Sequence, residues 1–420
     1  MSYLVAILGL LALVFVHELG HFLAAKSVGA RATKFYVGFP PALLRRRVGD
    51  TEYGIGAIPL GGYVRIVGMT RPQPVDLWRI IDAADEARLR RSEDVADELT
   101  PAVDALERAL KAQRLREARA LVDDAEAALQ RDAELLMPLT LKQAQKDLTR
   151  MRDELDPRSY WSLAVWRRVT IIAAGPFANV VAAVVILAGF YMTGEPTFAS
   201  HVERVTAGSP AASVGLQAGD VIVGVGNRPI SSPGDVAPAT AASGGKPVVI
   251  KVTRNGSAVA LGPVAPRYSA QEGRYLFGIQ IKPVKNGTER RGPIAATGRA
   301  FDQAWVVTAG TITGLKDVVT PQGAKQLTTP VGNVESSSDA VTAGYYPGLL
   351  AFISLALAIF NLLPFLSLDG GHILFALAEK VYRRPIPRVV FERVSVVGIV
   401  LMLMLFTVGL NNDIGRLGGP

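Results

Sequence analysis

Cysteine is absent from all 420 residues, which excludes disulfides and thiolate metal sites. Charge is scarce as well. Only 20% of residues are charged against 49% hydrophobic, and mean hydropathy is +0.27. That balance excludes a disordered, charge-rich chain and points to a membrane protein. The net charge of +8 is no sign of nucleic-acid binding, because the excess gathers in short loops beside apolar runs. Histidine is rarer still, four in all. Two of them stand four residues apart in "LVFVHELGHFLAAK", Leu13 to Lys26, inside an otherwise apolar run.

Four runs approach the roughly 20 apolar residues that a hydrocarbon core requires. They lie in residues 1–28, 165–193, 346–372 and 389–411, and the last is the shortest. The first lacks a basic leader and ends in a polar cluster, which argues against a cleaved signal peptide. Lys26, Arg31, Lys34 and Arg45 to Arg47 follow the first run; Arg167 and Arg168 open the second. Lys380, Arg383, Arg384, Arg388 and Arg393 separate the third from the fourth. If four spans alternate, all these cations lie on one side, expected to be cytoplasmic. Residues 29–165 would then be cytoplasmic, with both termini and 193–346 outside the inner membrane. The expected fold class is a polytopic α-helical membrane protein with four transmembrane helices.

Between the spans the composition changes three times. Residues 29–70 are glycine-rich with short aromatic and β-branched runs, so β-hairpins are expected. "AIPLGGYVRI" is apolar for a cytoplasmic loop, and its strand is open to two readings: a membrane-associated hairpin or an ordinary surface one. In the insertion 71–160, Val103, Leu106, Leu110, Leu121, Ala125 and Leu129 recur at helical spacing. Thr100 and Pro101 look like an N-cap and first helical residue, and Pro138 should break the run. Two or three cytoplasmic helices are expected, either as a spacer or as a platform for a cytoplasmic partner. Residues 198–286 read as alternating strands and short helices with an Asn255–Gly256 hairpin turn. Their "SPAASVGLQAGDVIVGVGNRPI" resembles the PDZ family, whose modules bind peptides by strand addition. Residues 290–320, with Phe301, Trp305, Val306 and Ile312, have the period of an amphipathic helix.

The chemistry gathers in the first span. His17 and His21, at i and i+4, project from one helical face and can share a metal ion, and Glu18 completes H-E-x-x-H. His17 lies about 21 Å along a helix begun at Tyr3, well inside the span. Ionisable groups there cost on the order of 2.5–3.5 kcal/mol each, which a bound ligand would offset. Zinc acidifies a bound water toward a pKa of about 7, and Glu18 could take that proton and return it to the leaving amine. A third ligand is expected from another span at similar depth. Asp369, in "NLLPFLSLDGGH", is the only carboxylate between Pro347 and His372. Pro364 should break that helix, and Gly370 and Gly371 should end it. His372 is the rival ligand.

These pieces together resemble the site-2 protease family of intramembrane zinc metalloproteases (peptidase family M50), in its bacterial single-PDZ form. They are similar in particular to the actinobacterial enzymes of regulated intramembrane proteolysis. The resemblance rests on "HELGH", "EYGIGAIPLGGYVRIVGM", "WRRVTIIAAGPFAN", the PDZ-like module and "NLLPFLSLDGGHIL", in that order. It implies one Zn2+ held by His17, His21 and Asp369, with Glu18 as general base. It also implies that Asn361 and Pro364, in Asn-x-x-Pro, and Gly61, Gly62 and Tyr63, in the hairpin, contact the unwound substrate. Implied substrates are single-span membrane proteins such as anti-sigma factors or signal-peptide remnants. The sequence departs from the family pattern at "GFPP", Gly38 to Pro41, where proline cannot donate a ladder hydrogen bond. Two other readings compete with this one: a non-enzymatic PDZ-containing membrane scaffold and a metal transporter. Neither gives Glu18 a role beside the ligands.

Overall fold

The computed structural model describes residues 2–92, 96–269, 272–314, 345–365, 368–386 and 388–417. The chain divides into two units, one built mainly from residues 1–185 and 349–420 and the other from 186–301.

In the first unit, helix α1 (Ser2–Ser27) is apolar except for the His17–His21 cluster and its ends, and carries Lys26 in the last turn, where it complements the helix dipole. Gly29 ends it with φ +79°, which lets the Ala30 N–H reach back to the Ala25 carbonyl at 2.8 Å. Strands β1 (Ala32–Val48) and β2 (Thr51–Ile66) come next and pair antiparallel with repeated register shifts. Lys34 to Val37 consequently sit between two stretches of β2, Glu52–Ile55 and Gly62–Arg65. The pairing passes from Phe39↔Ile58 to Ala42↔Gly56, so Pro40 and Pro41 take no ladder position. Proline's missing donor is thus confined to a bulge, and strand pairing continues on either side.

The insertion folds as four helices rather than two or three: α2 (Trp78–Arg90), α3 (Leu99–Lys111), α4 (Leu115–Arg131) and α5 (Pro138–Glu154). They share one core in which Leu77, Ile80, Leu106, Leu110, Leu129 and Leu148 are fully buried. Helix α3 begins at Leu99, one residue ahead of the expected Thr100 cap. Asp97 does the capping instead, accepting the Thr100 N–H at 3.1 Å. Arg31, just after α1, ties the bundle down through Asp153 at 2.8 Å and Asp156 at 3.3 Å.

Helix α6 (Val165–Thr193) is 29 residues of mostly apolar sequence with Pro176 inside it. Among the described residues, three helices are long and apolar enough to cross a membrane: Tyr3–Ser27, Val165–Thr193 and Val389–Asn412. Their length and apolarity mark this as an integral membrane protein. The third expected span is interrupted. Its apolar part is the 16-residue α10 (Tyr346–Asn361), and the helix breaks before Pro364. Gly370 and Gly371 do not end a helix, contrary to expectation. They stand in the first turn of a new one, α11 (Asp369–Tyr382). A Cβ on Gly370 would lie 2.2 Å from the Leu363 carbonyl, so glycine here permits close approach of α11 to the broken end of α10. The last helix, α12, spans Arg388–Leu417.

The second unit holds an antiparallel sheet in the order β10-β3-β4-β6-β7, with β3 Glu195–Val205, β4 Val221–Val225, β6 Val248–Arg254, β7 Ser257–Val264 and β10 Ile279–Glu289. The two-residue β5 (Arg228–Pro229) pairs with β4, and β8 (Arg267–Ser269) with β9 (Arg274–Leu276). Short helices α7 (Pro210–Ser213) and α8 (Val236–Ala242) close a core around Ile222, Ile250, Val252 and Phe277. Asn255 and Gly256 both have positive φ, as the two-residue turn between β6 and β7 demands. Helix α9 covers Pro293–Gly314; the remainder of the helix expected to reach residue 320 lies outside the described residues.

Candidate metal centre

His17 and His21 are buried side by side on α1, and Asp369 comes to them as the first residue of α11. The two Nε2 atoms are 3.2 Å apart. Asp369 Oδ2 lies 3.1 Å from His17 Nε2 and 3.3 Å from His21 Nε2. A tetrahedral zinc with bonds of about 2.0–2.1 Å sets neighbouring ligand atoms about 3.3 Å apart, so the triangle matches one face of that tetrahedron.

The outer partners fix what these atoms offer. His21 Nδ1 is 2.9 Å from the Ile171 carbonyl, an acceptor only, so Nδ1 carries the proton and Nε2 of the neutral ring is left with its lone pair. Asp369 Oδ2 is buried and has no hydrogen-bond partner. Lone pairs converging on one point repel unless a cation stands among them, and this donor set therefore fits a divalent metal. Among the described residues His17, His21 and Asp369 form the one such cluster. His372 is not part of it; its ring lies 5.5 Å from that of Phe391.

Helix α6 holds the histidines through a stripe at four-residue spacing. Ile171 supplies the carbonyl. Gly175 leaves room for the His21 ring, since a Cβ there would meet Nε2 at 2.3 Å. Asn179, fully buried, has its amide nitrogen 3.2 Å from His17 Nδ1 while its Oδ1 lacks a partner. A half-turn of the amide, which changes no volume, brings Oδ1 to an Nδ1–H of His17. Ser354 on α10 donates to the Asn179 carbonyl at 2.8 Å. Gly20 matches Gly175 across the contact: a Cβ on it would lie 2.4 Å from the Ala174 carbonyl. Neither Gly175 nor Asn179 was among the expected site residues.

Glu18 stands beside the cluster, where its Oε2 accepts the Val64 N–H at 3.1 Å. That bond joins the carboxylate to the β2 stretch Gly62–Arg65. A cavity of about 570 Å3 opens here, lined by His17, Glu18, His21, Tyr63, Asn361 and Asp369 among others. Tyr63 is stacked between Tyr36, with centroids 5.2 Å apart, and Phe39, at 6.4 Å. Tyr36 Oη donates to Glu52 at 2.5 Å, and this bond pushes the phenol up to about 12 while holding the Glu52 carboxyl below its usual range. Gly62 packs near Glu18, and Gly61 near Phe39 and Val14. Asn361 Nδ2 donates to the Leu357 carbonyl at 3.0 Å. Pro364 is exposed at the helix break and does not line the cavity.

Comparison with known proteins adds a family. Residues 5–405 match the family model described as Peptidase family M50. A protein of Clostridium perfringens named "Putative zinc metalloprotease" is 28% identical over 99% of this chain and 98% of its own length. One of the same name from Rhizobium meliloti is 27% identical over 97% of this chain and 94% of its own. The "Regulator of sigma-W protease RasP" of Bacillus subtilis is 27% identical over 96% of each.

Proposed function

The chain belongs to peptidase family M50, and from that premise we propose that it is an intramembrane zinc metalloendopeptidase acting on single-span membrane proteins. The observation that carries the reading is the convergence of two imidazoles and one carboxylate, from helices far apart in the chain, beside a fourth titratable group with a different partner. His17, His21 and Asp369 would hold the ion. When bound, zinc supplies a Lewis acid that acidifies water and polarises a carbonyl. Glu18, beside the three donors, would serve as the general base that accepts a proton from the attacking water and returns it to the leaving amine, a role worth about 10²–10⁴-fold in rate. The Val64 N–H fixes the Glu18 carboxylate so that Oε1 stays free for this transfer.

A substrate helix shields its peptide bonds and must open into a strand before water reaches them. The stretch from Tyr63 to Ile66 lines the cavity and is suited to accept such a strand at its edge, with Tyr63 contacting side chains; Gly61 and Gly62, just before it, would let the strand pack closely on Phe39, Tyr36 and Glu18. Asn361, which lines the same cavity, would contact the substrate backbone; Pro364 would act only by breaking the helix beside it. The name of the Bacillus subtilis relative, regulator of sigma-W protease, favours anti-sigma factors among substrates; signal-peptide remnants are a second class. The basic flanks support four spans, counting α10 and the start of α11 as one, with residues 29–165 cytoplasmic and both termini outside. The 198–286 module is read as an extracytoplasmic PDZ domain. The scaffold reading leaves the metal cluster and Glu18 without work to do.

Elemental analysis of detergent-purified protein tests this directly. One zinc per chain is expected in wild type, lost in His21→Ala and Asp369→Ala. Glu18→Gln should keep the metal yet fail to cut a model single-span substrate. Wild type that takes up no stoichiometric metal after zinc is supplied would overturn the reading.

A further inference from the structure

A second cavity, of about 270 Å3, is lined by Met69, Arg71, Tyr160, Arg168, His372 and Glu379 among others. Met69 and His372 also line the metal-site cavity, so the two are neighbours. Arg168, on α6, is 8% exposed and pairs with Glu379 on α11 at 2.6 Å. Glu379 also accepts the Ile386 N–H at 3.3 Å. Arg71 has no carboxylate partner among the described residues, and its guanidinium lies over the Trp161 ring at 5.5 Å. Burial lowers the Arg71 pKa, Glu379 opposing the shift and Arg168 adding to it. The Nε atoms of both arginines are buried without hydrogen-bond partners, and so is the hydroxyl of Tyr160, which is 4% exposed. The lining thus holds two guanidinium groups against one carboxylate. A half-buried cation in the condition of Arg71 gains by meeting an anion.

We propose that this cavity is a carboxylate site, and that its occupant is the C-terminal carboxylate created when the neighbouring site cuts a peptide. The proposal rests on the protease reading above. Hydrolysis adds the elements of water across the C–N bond and leaves a carboxylate on one fragment and an amine on the other. Arg71 matches the planar carboxylate with paired N–H donors, assisted by the Tyr160 hydroxyl. Phe375, Ala376, Ile386 and Phe391 complete the wall and suit an apolar last residue. The volume corresponds to roughly nine waters at about 30 Å3 each. An excess of positive charge favours the carboxylate fragment over the ammonium fragment, so the cavity sorts the two products as they leave.

The test is calorimetric titration of the zinc-loaded full chain in detergent with one short apolar peptide, as free acid and as C-terminal amide. A charge-assisted hydrogen bond predicts that the acid binds about tenfold tighter or more. In Arg71→Gln the acid and amide should bind alike, whereas Arg71→Lys, which keeps the charge but not the paired donors, should retain only part of the preference. Persistence of the preference in Arg71→Gln would assign the carboxylate to the metal and overturn the proposal. Zinc content verifies folding of each variant. Should Arg71→Gln not fold, Gln73→Glu sets a competing carboxylate in the same lining. Loss of the preference there supports the site, and its retention overturns it. Cleavage of a model substrate by the same wild-type preparation separates the two readings. A chain that cuts but shows no Arg71-dependent preference refutes only the carboxylate site. A chain with the preference that cuts nothing refutes the protease reading, and with it the assignment of the occupant as a product.

Discussion

Gly175→Ala adds one methyl group to the middle of α6. The new Cβ would lie 2.3 Å from His21 Nε2, 2.6 Å from Cε1 and 2.8 Å from Cδ2, against 3.4 Å or more for ordinary contact. The imidazole would have to retreat by about 1 Å, five times the ±0.2 Å within which metal–ligand distances hold. Its Nδ1 bond to Ile171, at 2.9 Å on the same helix, would be strained by the same movement. We expect metal affinity to fall by at least the 10–100-fold typical of lost outer partners, because here a ligand itself is displaced. Overpacking adds a stability cost of about 1–3 kcal/mol. The assay is zinc competition against a chromophoric chelator, with cleavage of a single-span substrate measured in parallel. Gly189→Ala, on the same helix but with nothing within 4 Å of its Cβ, is the control and should be silent. A Gly175→Ala protein with wild-type zinc affinity and activity would refute the claim that α6 positions His21.

Asn179→Leu removes the only polar partner described for His17 Nδ1, and zinc Kd should weaken about 10–100-fold; an unchanged Kd would mean that the contact does not orient the ring. Asp220 accepts from Arg254 Nε and Nη2, each at 2.7 Å, and from the Gln217 N–H at 2.9 Å, which hold its carboxyl below the usual range. The stabilisation is present in full above the unfolded value of about 3.9 and is lost as pH falls through the lower folded value. Hydrogen exchange at β4 and β6 should accordingly rise in wild type on acidification below about pH 4, and Arg254→Gln should show a shallower dependence. Equal slopes would exclude the pair as the source. Leu106→Ala, at a fully buried site, should cost the insertion bundle about 2–5 kcal/mol, read as proteolysis within 76–157. Zinc binding that survives that unfolding would mark the bundle as energetically separate from the metal site.

His17, Glu18 and His21 were legible because a four-residue period puts them on one face, and Asp369 because a carboxylate in an apolar run needs a reason. Gly175 and Asn179 were not. In a membrane helix both read as packing residues, and only their spacing of four, matching that of the histidines, carried the signal. The glycine pair after Asp369 misled for a related reason. Glycine marks chain reversal and close backbone approach alike, and Gly370 serves the second purpose. In the insertion, α3 and α4 read as one continuous run because the turn between them falls at Gln113, φ +55°, with neither glycine nor proline to announce it. Tertiary packing of the two helices, rather than local propensity, sets that turn.

The three donor residues have a history in time as well as a geometry. Asp369 is translated some 350 residues after His21. At 5–20 residues per second that is an interval of roughly 20–70 s. Throughout it the growing chain carries the two imidazoles and the Glu18 carboxylate but not Asp369. On the proposed mechanism the metal site is therefore completed only when nearly all of the chain has been made, so the order of residues along the chain itself delays the onset of activity.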